Sequence, residues 1–332
     1  MQKVQNENTT PITVDKERQK IRLAIDTYYD LQKVRIAIGN RLVAAFGIDI
    51  SEESTIDPET GEGNNEEKKN VLKEIEGEYD SINKKLKERP GTRVSTVINK
   101  DPSLKYIKQQ SYYKLVSSYM NAKEAEDATE DYVKEQVHNH YLWDMFFKDM
   151  VGCGEFLAGM LIAYLDVHKA RHVSCFWSYA GLGCRFSEKT GKYEAQSKHN
   201  LTTRKYIDKN DGKEKECPSL GYNPVLHMWL LGRLPSNMFR AASRSNKHCE
   251  LIECYRDYYN RYENRADNQE KPSKARCMRR ASRAMAKYLL RELWCVWREA
   301  EGYTLSVPYE VEYLGRAPHR YNEAHARMAA RD

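Results

Sequence analysis

Residues 151–158 read VGCGEFLA, set between the aromatic stretch WDMFFKDM (143–150) and the apolar stretch GMLIAYLDV (159–167). Glycine weakens a helix by about 1 kcal/mol relative to alanine. Two of them at the junction of two apolar segments therefore need a backbone reason. Gly152 supplies the left-handed turn that ends one helix. Gly154 leaves the backbone bare where the next begins, so that unpaired N–H groups and the positive end of the helix dipole face outward. This is a helix–hairpin–helix pattern, and with Cys153 and Glu155 between and beside the glycines it predicts a phosphate site that grips a backbone without reading sequence. Ala158 would let the two helices approach closely. The plainer alternative is a tight turn in an ordinary helical hairpin. The helix predicted over 155–165 is apolar on every side and is core under either reading.

Upstream of this stretch the chain reads as an arm. Residues 1–14 are polar and expected to be disordered. From Asp15, Ile21, Ile25, Tyr28, Leu31, Ile38, Leu42 and Ala45 recur at three- and four-residue steps up to Gly47, the pattern of a long helix. The acidic segment 51–68 is almost free of apolar residues and reads as a flexible linker. A second helix is expected over 66–88, stopping before Pro90, and a further pair over about 103–141. Residues 15–140 thus form a helical, coiled-coil-like arm, whose apolar stripe suggests a homo-oligomer. Residues 141–301 form a compact domain and 302–332 an irregular tail. In the compact domain, RKYIDKNDGKEKEC (204–217) predicts a small β-hairpin around an Asp-Gly turn. Helices are expected over 224–265, broken near Pro235, and over 273–301. The fold class is mostly α: an elongated helical arm, then a compact helix–hairpin–helix domain with a small β-hairpin insertion.

Composition narrows the function. The chain has 332 residues, of which 31% are charged, and a mean hydropathy of −0.81. The longest apolar run, Phe156 to Leu165, is about half the length a membrane-spanning helix needs, and the N-terminus has no apolar signal core. A cytoplasmic, nucleoid-associated protein with no membrane partner is expected. Its eight cysteines contain no CxxC pair and read as reduced, most of them core thiols. His248, Cys249 and Cys254 lack the second ligand pair of a zinc site, so no metal or other cofactor is expected. The net charge of +6 is uneven: residues 151–332 hold 31 Lys and Arg against 21 Asp and Glu, leaving residues 1–150 net acidic. The basic half points to a polyanionic partner, DNA or structured RNA.

Residues 273–291, SKARCMRRASRAMAKYLLR, contain seven basic residues and no acidic one. Arg276, Arg280, Arg283, Lys287 and Arg291 share one helical face, while Met278, Ala281, Met285, Leu289, Leu293 and Val296 share the other. An ordinary solvated face mixes signs, because oppositely charged pairs four residues apart are mildly stabilising. The acid-free face is therefore read as a nucleic-acid contact. In CYRDYYNRYENR (254–265), four tyrosines interleave with Arg256 and Arg261, as a stacking surface would. A half-buried tyrosine stripe is the alternative.

The stretch DMVGCGEFLAGMLIAYLDVHKARHVSCFWSYAGLG (149–183) resembles the helix–hairpin–helix core of the IS116/IS110/IS902 transposase family. LQKVRIAIGNRLVAAFG (31–47) is similar to that family's helical spacer. LGYNPVLHMWLLGRL (220–234) and RRASRAMAKYLLRELWCVWREAEG (279–302) are similar to C-terminal helices of divergent members. The resemblance covers about residues 16–50 and 140–315. It implies DNA recombination, in some members RNA-guided, by a serine nucleophile soon after the "GL" segment, for which Ser187 and Ser197 are the candidates. It also implies a RuvC-like nuclease with four acidic metal ligands. FGIDISEES (46–54) is superficially similar to the opening of that nuclease but follows a long helix and precedes a linker, so the nuclease is expected to be absent. Magnesium would then be needed only beside a partner nuclease. The sequence is thus read as a DNA-binding relative of these transposases, without its own nuclease. The alternatives are a recombinase subunit using a partner's nuclease and a binder of structured RNA.

Overall fold

The computed structural model describes residues 16–46, 66–188, 191–196, 201–207, 214–245, 249–264 and 272–305. Most of them are helical. The expected disordered N-terminus, the linker up to residue 65, residues 47–54 of the FGIDISEES segment and the tail beyond residue 305 lie outside the described residues.

Two long helices, α1 (Lys16–Ala45) and α4 (Gln110–His138), lie side by side, with α2 (Glu66–Glu88) and the short α3 (Val94–Asn99) packed at one end. The expected pair over 103–141 is one helix, and it begins only at Gln110. Residues 100–109 are a turn fastened by Glu78, whose carboxylate accepts the N–H groups of Lys105, Tyr106 and Ile107 at 2.5, 3.0 and 2.8 Å. A side chain thus takes the place of the helical hydrogen bonds this segment lacks. Between α1 and α4, Arg35 forks onto Glu126, which is 5% exposed and also accepts from Gln32.

The apolar stripe of α1 is divided between two cores. Leu42 and Val43 pack with Val71, Ile75 and Ile82 of α2 and with Val116 and Tyr119 of α4. Ile21, Ala24 and Ile25 pack with Val133 and Val137 of α4 and with the rest of the chain. Of the stripe, Ile21, Ile25 and Leu42 are buried within the chain, Tyr28, Leu31 and Ile38 are half-buried, and Ala45 is exposed.

After α4 comes a π-helical turn, Trp143–Phe147, closed by the Lys148 N–H on the Trp143 carbonyl at 2.9 Å. Then follow α5 (Glu155–Tyr164), α6 (Val173–Tyr179), strands β1 (Cys184–Ser187), β2 (Lys192–Ala195), β3 (Leu201–Ile207) and β4 (Glu214–Leu220), and helices α7 (Pro224–Met228), α8 (Leu234–Ser245), α9 (Glu250–Glu263) and α10 (Lys274–Ala300). As expected, α5 is core: every residue from Leu157 to Ala163 is buried. The expected hairpin is β3–β4, with Arg204 opposite Cys217, and its Asp-Gly turn lies outside the described residues. A second antiparallel pair, β1–β2, was not anticipated. Gly191, at φ +61°, stands where its turn re-enters β2.

Pro235 does not break its helix. It sits in the first turn of α8, behind a π-helical segment, Trp229–Arg233, that absorbs the carbonyl a proline cannot serve. The interruption lies instead between Ser245 and Glu250. Among the described residues no helix is long and apolar enough to cross a membrane.

Candidate nucleic-acid interface

The glycine stretch has the backbone its sequence called for. Gly152 has φ +82°, and α5 begins at Glu155 with Gly154 as its N-cap. Gly152 is also a packing position. A Cβ on it would meet the Met238 Cα of α8 at 2.5 Å, whereas one on Gly154 would meet nothing within 4 Å. The close approach assigned to Ala158 is made by its neighbour. At Gly159 a Cβ would lie 3.0 Å from both Val133 and Val137 of α4. The Cys153 side chain is 3% exposed, and burial pushes its thiol pKa far up, so it faces the core as an inert thiol. Glu155 occupies the first turn of α5, at the positive end of its dipole, and its carboxylate lies 3.5 Å from His138. Asp144 and Asp149 are nearby in sequence, with Lys148 tied to Asp144. What the hairpin offers a phosphate is backbone N–H groups beside the Glu155 carboxylate, which opposes an anion there.

The basic face of α10 divides into two parts. Arg283 turns inward: its Nη2 donates to the carbonyls of Gly181 and Gly183, both at 3.0 Å, and burial lowers its pKa from the usual guanidinium value. Lys287 lies over the Trp177 ring at 4.9 Å, and the Trp177 indole N–H donates to the Lys287 carbonyl. Arg291 is paired with the buried Glu292 at 2.9 Å and lies over Tyr288. These three were expected to point at a phosphate backbone. In the structure all three are half-buried and each meets a group of the chain itself, beside a C-terminal half of α10 that is buried on nearly every side from Tyr288 through Trp297.

The N-terminal half is different. Lys274, Arg276 and Arg279 are exposed and Arg280 is half-buried. Among the described residues none of the four has an ion-pair partner. Arg279 donates only to the carbonyl of Ala275, and Arg280 lies over the Tyr262 ring at 5.1 Å. Lys274 and Arg279 escape a reading that follows a single helical face, although both stand in the acid-free run that marks the helix. Met278, assigned to the apolar face, is 43% exposed, and Cys277 is buried in its place.

The α9 tyrosines also divide. Tyr255 is buried between Phe239 and Tyr259, the bland half of the expectation. Tyr258 and Tyr262 are half-buried with ring centroids 6.1 Å apart, and Arg261 lies over Tyr258 at 5.2 Å. Arg256 is exposed on the outer side of α9.

Of the two serines, Ser187 ends β1 and is buried, 6% exposed, and Ser197 lies outside the described residues. Cys254 is buried, Cys249 caps α9, and His248 is not among the described residues. No three His, Cys, Asp or Glu side chains gather around a metal-sized space among those that are.

Around the "YAGLG" loop the structure holds an assembly the sequence gives no sign of. His227 Nδ1 meets the Ala180 carbonyl at 2.9 Å, Arg283 holds the carbonyls of Gly181 and Gly183, and the buried Gln196 backbone N–H donates to Gly183 at 2.9 Å. Gly181, at φ +70°, leaves room for Tyr222 and His227. This loop joins the β-hairpins to α7 and α10. It keeps Arg283 away from solvent and leaves the first two turns of α10 as the open cationic surface.

In comparisons with known proteins, no family model, no curated protein and no solved structure matches the chain.

Proposed function

We propose that this chain is a nucleic-acid-binding protein that grips DNA through the first two turns of α10. One observation carries the reading. Lys274, Arg276, Arg279 and Arg280 crowd the N-terminus of a 27-residue helix with no acidic residue in its first turn and no ion-pair partner among the described residues. Cations there oppose the helix dipole and cost about 0.3–1 kcal/mol each. Folding alone gives no reason for the arrangement, and an anionic partner does. The hairpin at Gly152 is the secondary contact, since the Glu155 carboxylate at the start of α5 counts against it.

The quoted resemblance supports reading the whole as a helical arm followed by a helix–hairpin–helix domain related to IS110-type transposases, acting in the cytoplasm on DNA. A recombinase reading must route its chemistry through Ser187 or Ser197, and the burial of Ser187 weighs against it.

The test is the salt dependence of duplex binding. Each phosphate contact on duplex DNA adds roughly 0.9 to the slope of log affinity against log salt. Changing Lys274, Arg276, Arg279 and Arg280 together to Gln should lower that slope by about three to four units for any sequence. An unchanged slope in the folded variant overturns the assignment.

A further inference from the structure

We infer that the edge between α9 and α10 is a track for single-stranded DNA, in which Tyr258 and Tyr262 set two arginines for stacking against bases. The inference rests on the nucleic-acid reading above and names the form of the ligand. Four groups meet at this edge: Arg261 over Tyr258 at 5.2 Å, Tyr258 against Tyr262 at 6.1 Å, and Arg280 over Tyr262 at 5.1 Å. Arg261 is exposed, and Arg280 and both rings are half-exposed. Lys274, Arg276 and Arg279 extend the same basic end of α10.

A site that needs only phosphates does best with long cationic chains free in solvent, as Lys274 and Arg276 are. Arginines seated on rings have a fixed plane, and a flat cation backed by an aromatic ring is a platform for a base. In a duplex the base faces are already stacked on one another, so such a platform gains nothing from it. A single strand presents both the bases and the phosphates. The outer side of α9 mixes signs, with Glu253, Arg256 and Asp257 all exposed, whereas the first turn of α10 carries no acidic residue, so the strand's backbone is steered to the α10 side. The groups named here recognise base faces and phosphates, and we commit to DNA as the source.

The experiment measures binding of the full chain to a fluorescent 12-nucleotide oligo(dT), to its RNA counterpart and to a 12-base-pair duplex, at one salt concentration. The expected result is tighter binding to oligo(dT) than to the duplex. Tyr258→Leu together with Tyr262→Leu should weaken oligo(dT) about tenfold or more while duplex affinity stays within about twofold. The Phe pair, which keeps both rings, should restore oligo(dT) binding, a rescue that a mere packing defect would not show. Equal affinities with no response to the tyrosine changes overturn the track and leave the nucleic-acid reading standing. RNA bound far more tightly than DNA overturns the commitment to DNA. No binding to any of the three overturns the nucleic-acid reading itself. If the Leu pair does not fold, Arg261→Lys with Arg280→Lys makes the same test, since lysine keeps the charge and loses the plane.

Discussion

A methyl group placed on Gly152 would sit 2.5 Å from the Met238 Cα, closer than folded proteins allow, while the backbone at Gly152 holds φ +82°. The turn before α5 and the body of α8 are therefore built against each other, and glycine is the residue that permits it. Gly152→Ala should cost more than about 2 kcal/mol, combining backbone strain with a displaced helix. Gly154→Ala should cost less than about 1 kcal/mol, because its φ is −68° and the space beside it is open. Chemical denaturation of both variants checks the pair. Equal losses would show that the approach to α8 does not matter.

Arg283 and Arg276 stand on one predicted helical face and should behave as opposites. Arg283→Gln removes hydrogen bonds to two loop carbonyls and should lower stability by about 2 kcal/mol. Arg276→Gln should leave the melting temperature within a degree or so and weaken DNA binding. The reverse pattern would restore the uniform cationic face.

His227 ties stability to pH. Burial lowers its pKa below the ordinary 6.5, with the Ala180 carbonyl opposing that shift. Between the lowered folded value and 6.5 the unfolded chain binds a proton that the folded chain refuses, so stability rises with pH across that window and is lost as pH falls through it, with no further loss below the folded value. The melting temperature should fall between pH 7 and pH 5. In His227→Asn this slope should flatten, and a slope that persists unchanged would assign it elsewhere.

Much of this architecture was legible in the sequence, and what escaped has a common cause. Apolar spacing marks α1 because the periodicity of a helix is written within a few turns, and an unbroken apolar run behind Gly154 marks α5. The Asp-Gly dipeptide marks β3–β4 for the same reason. Periodicity also says that Arg276 and Arg283 share a face, but not what that face meets. Arg283 meets carbonyls about a hundred residues away. Glu78 holding residues 105–107, and Gln196 and His227 pinning the 180–183 loop, are likewise made by distant segments whose approach no local pattern records. The candidate interface was found as a run of positive charge. Its division into an open half and a fastened half depends on where the second half of α10 enters the core.

The fork between Arg35 and Glu126 gives a test of how α1 and α4 are joined. Glu126→Gln keeps the volume but leaves a guanidinium facing a weaker acceptor. It should cost about 2–3 kcal/mol, below the range for fully buried pairs because the Arg35 side chain is 27% exposed. A double-mutant cycle with Arg35→Met separates the pair's coupling from the packing of each side chain. No coupling would mean that the apolar contacts alone hold the two helices.

The first helix is made long before the groups that cover it. Arg18 donates to the Leu165 carbonyl at 2.8 Å and pairs with Asp166, Tyr164 donates to Asp26 at 2.8 Å, and the Trp229 indole reaches Tyr29. On the ribosome, Ile21 and Ile25 must therefore wait while well over a hundred further residues emerge, with their apolar side unfilled or held by a chaperone. A gene cut at codon 140 would give two incomplete products, one holding α1 against α4 with the rest of that face uncovered and the other holding α5 without the two helices it packs on. Co-expressed, the pieces should find each other and rebuild the fold, and the seam between them would pass through the core.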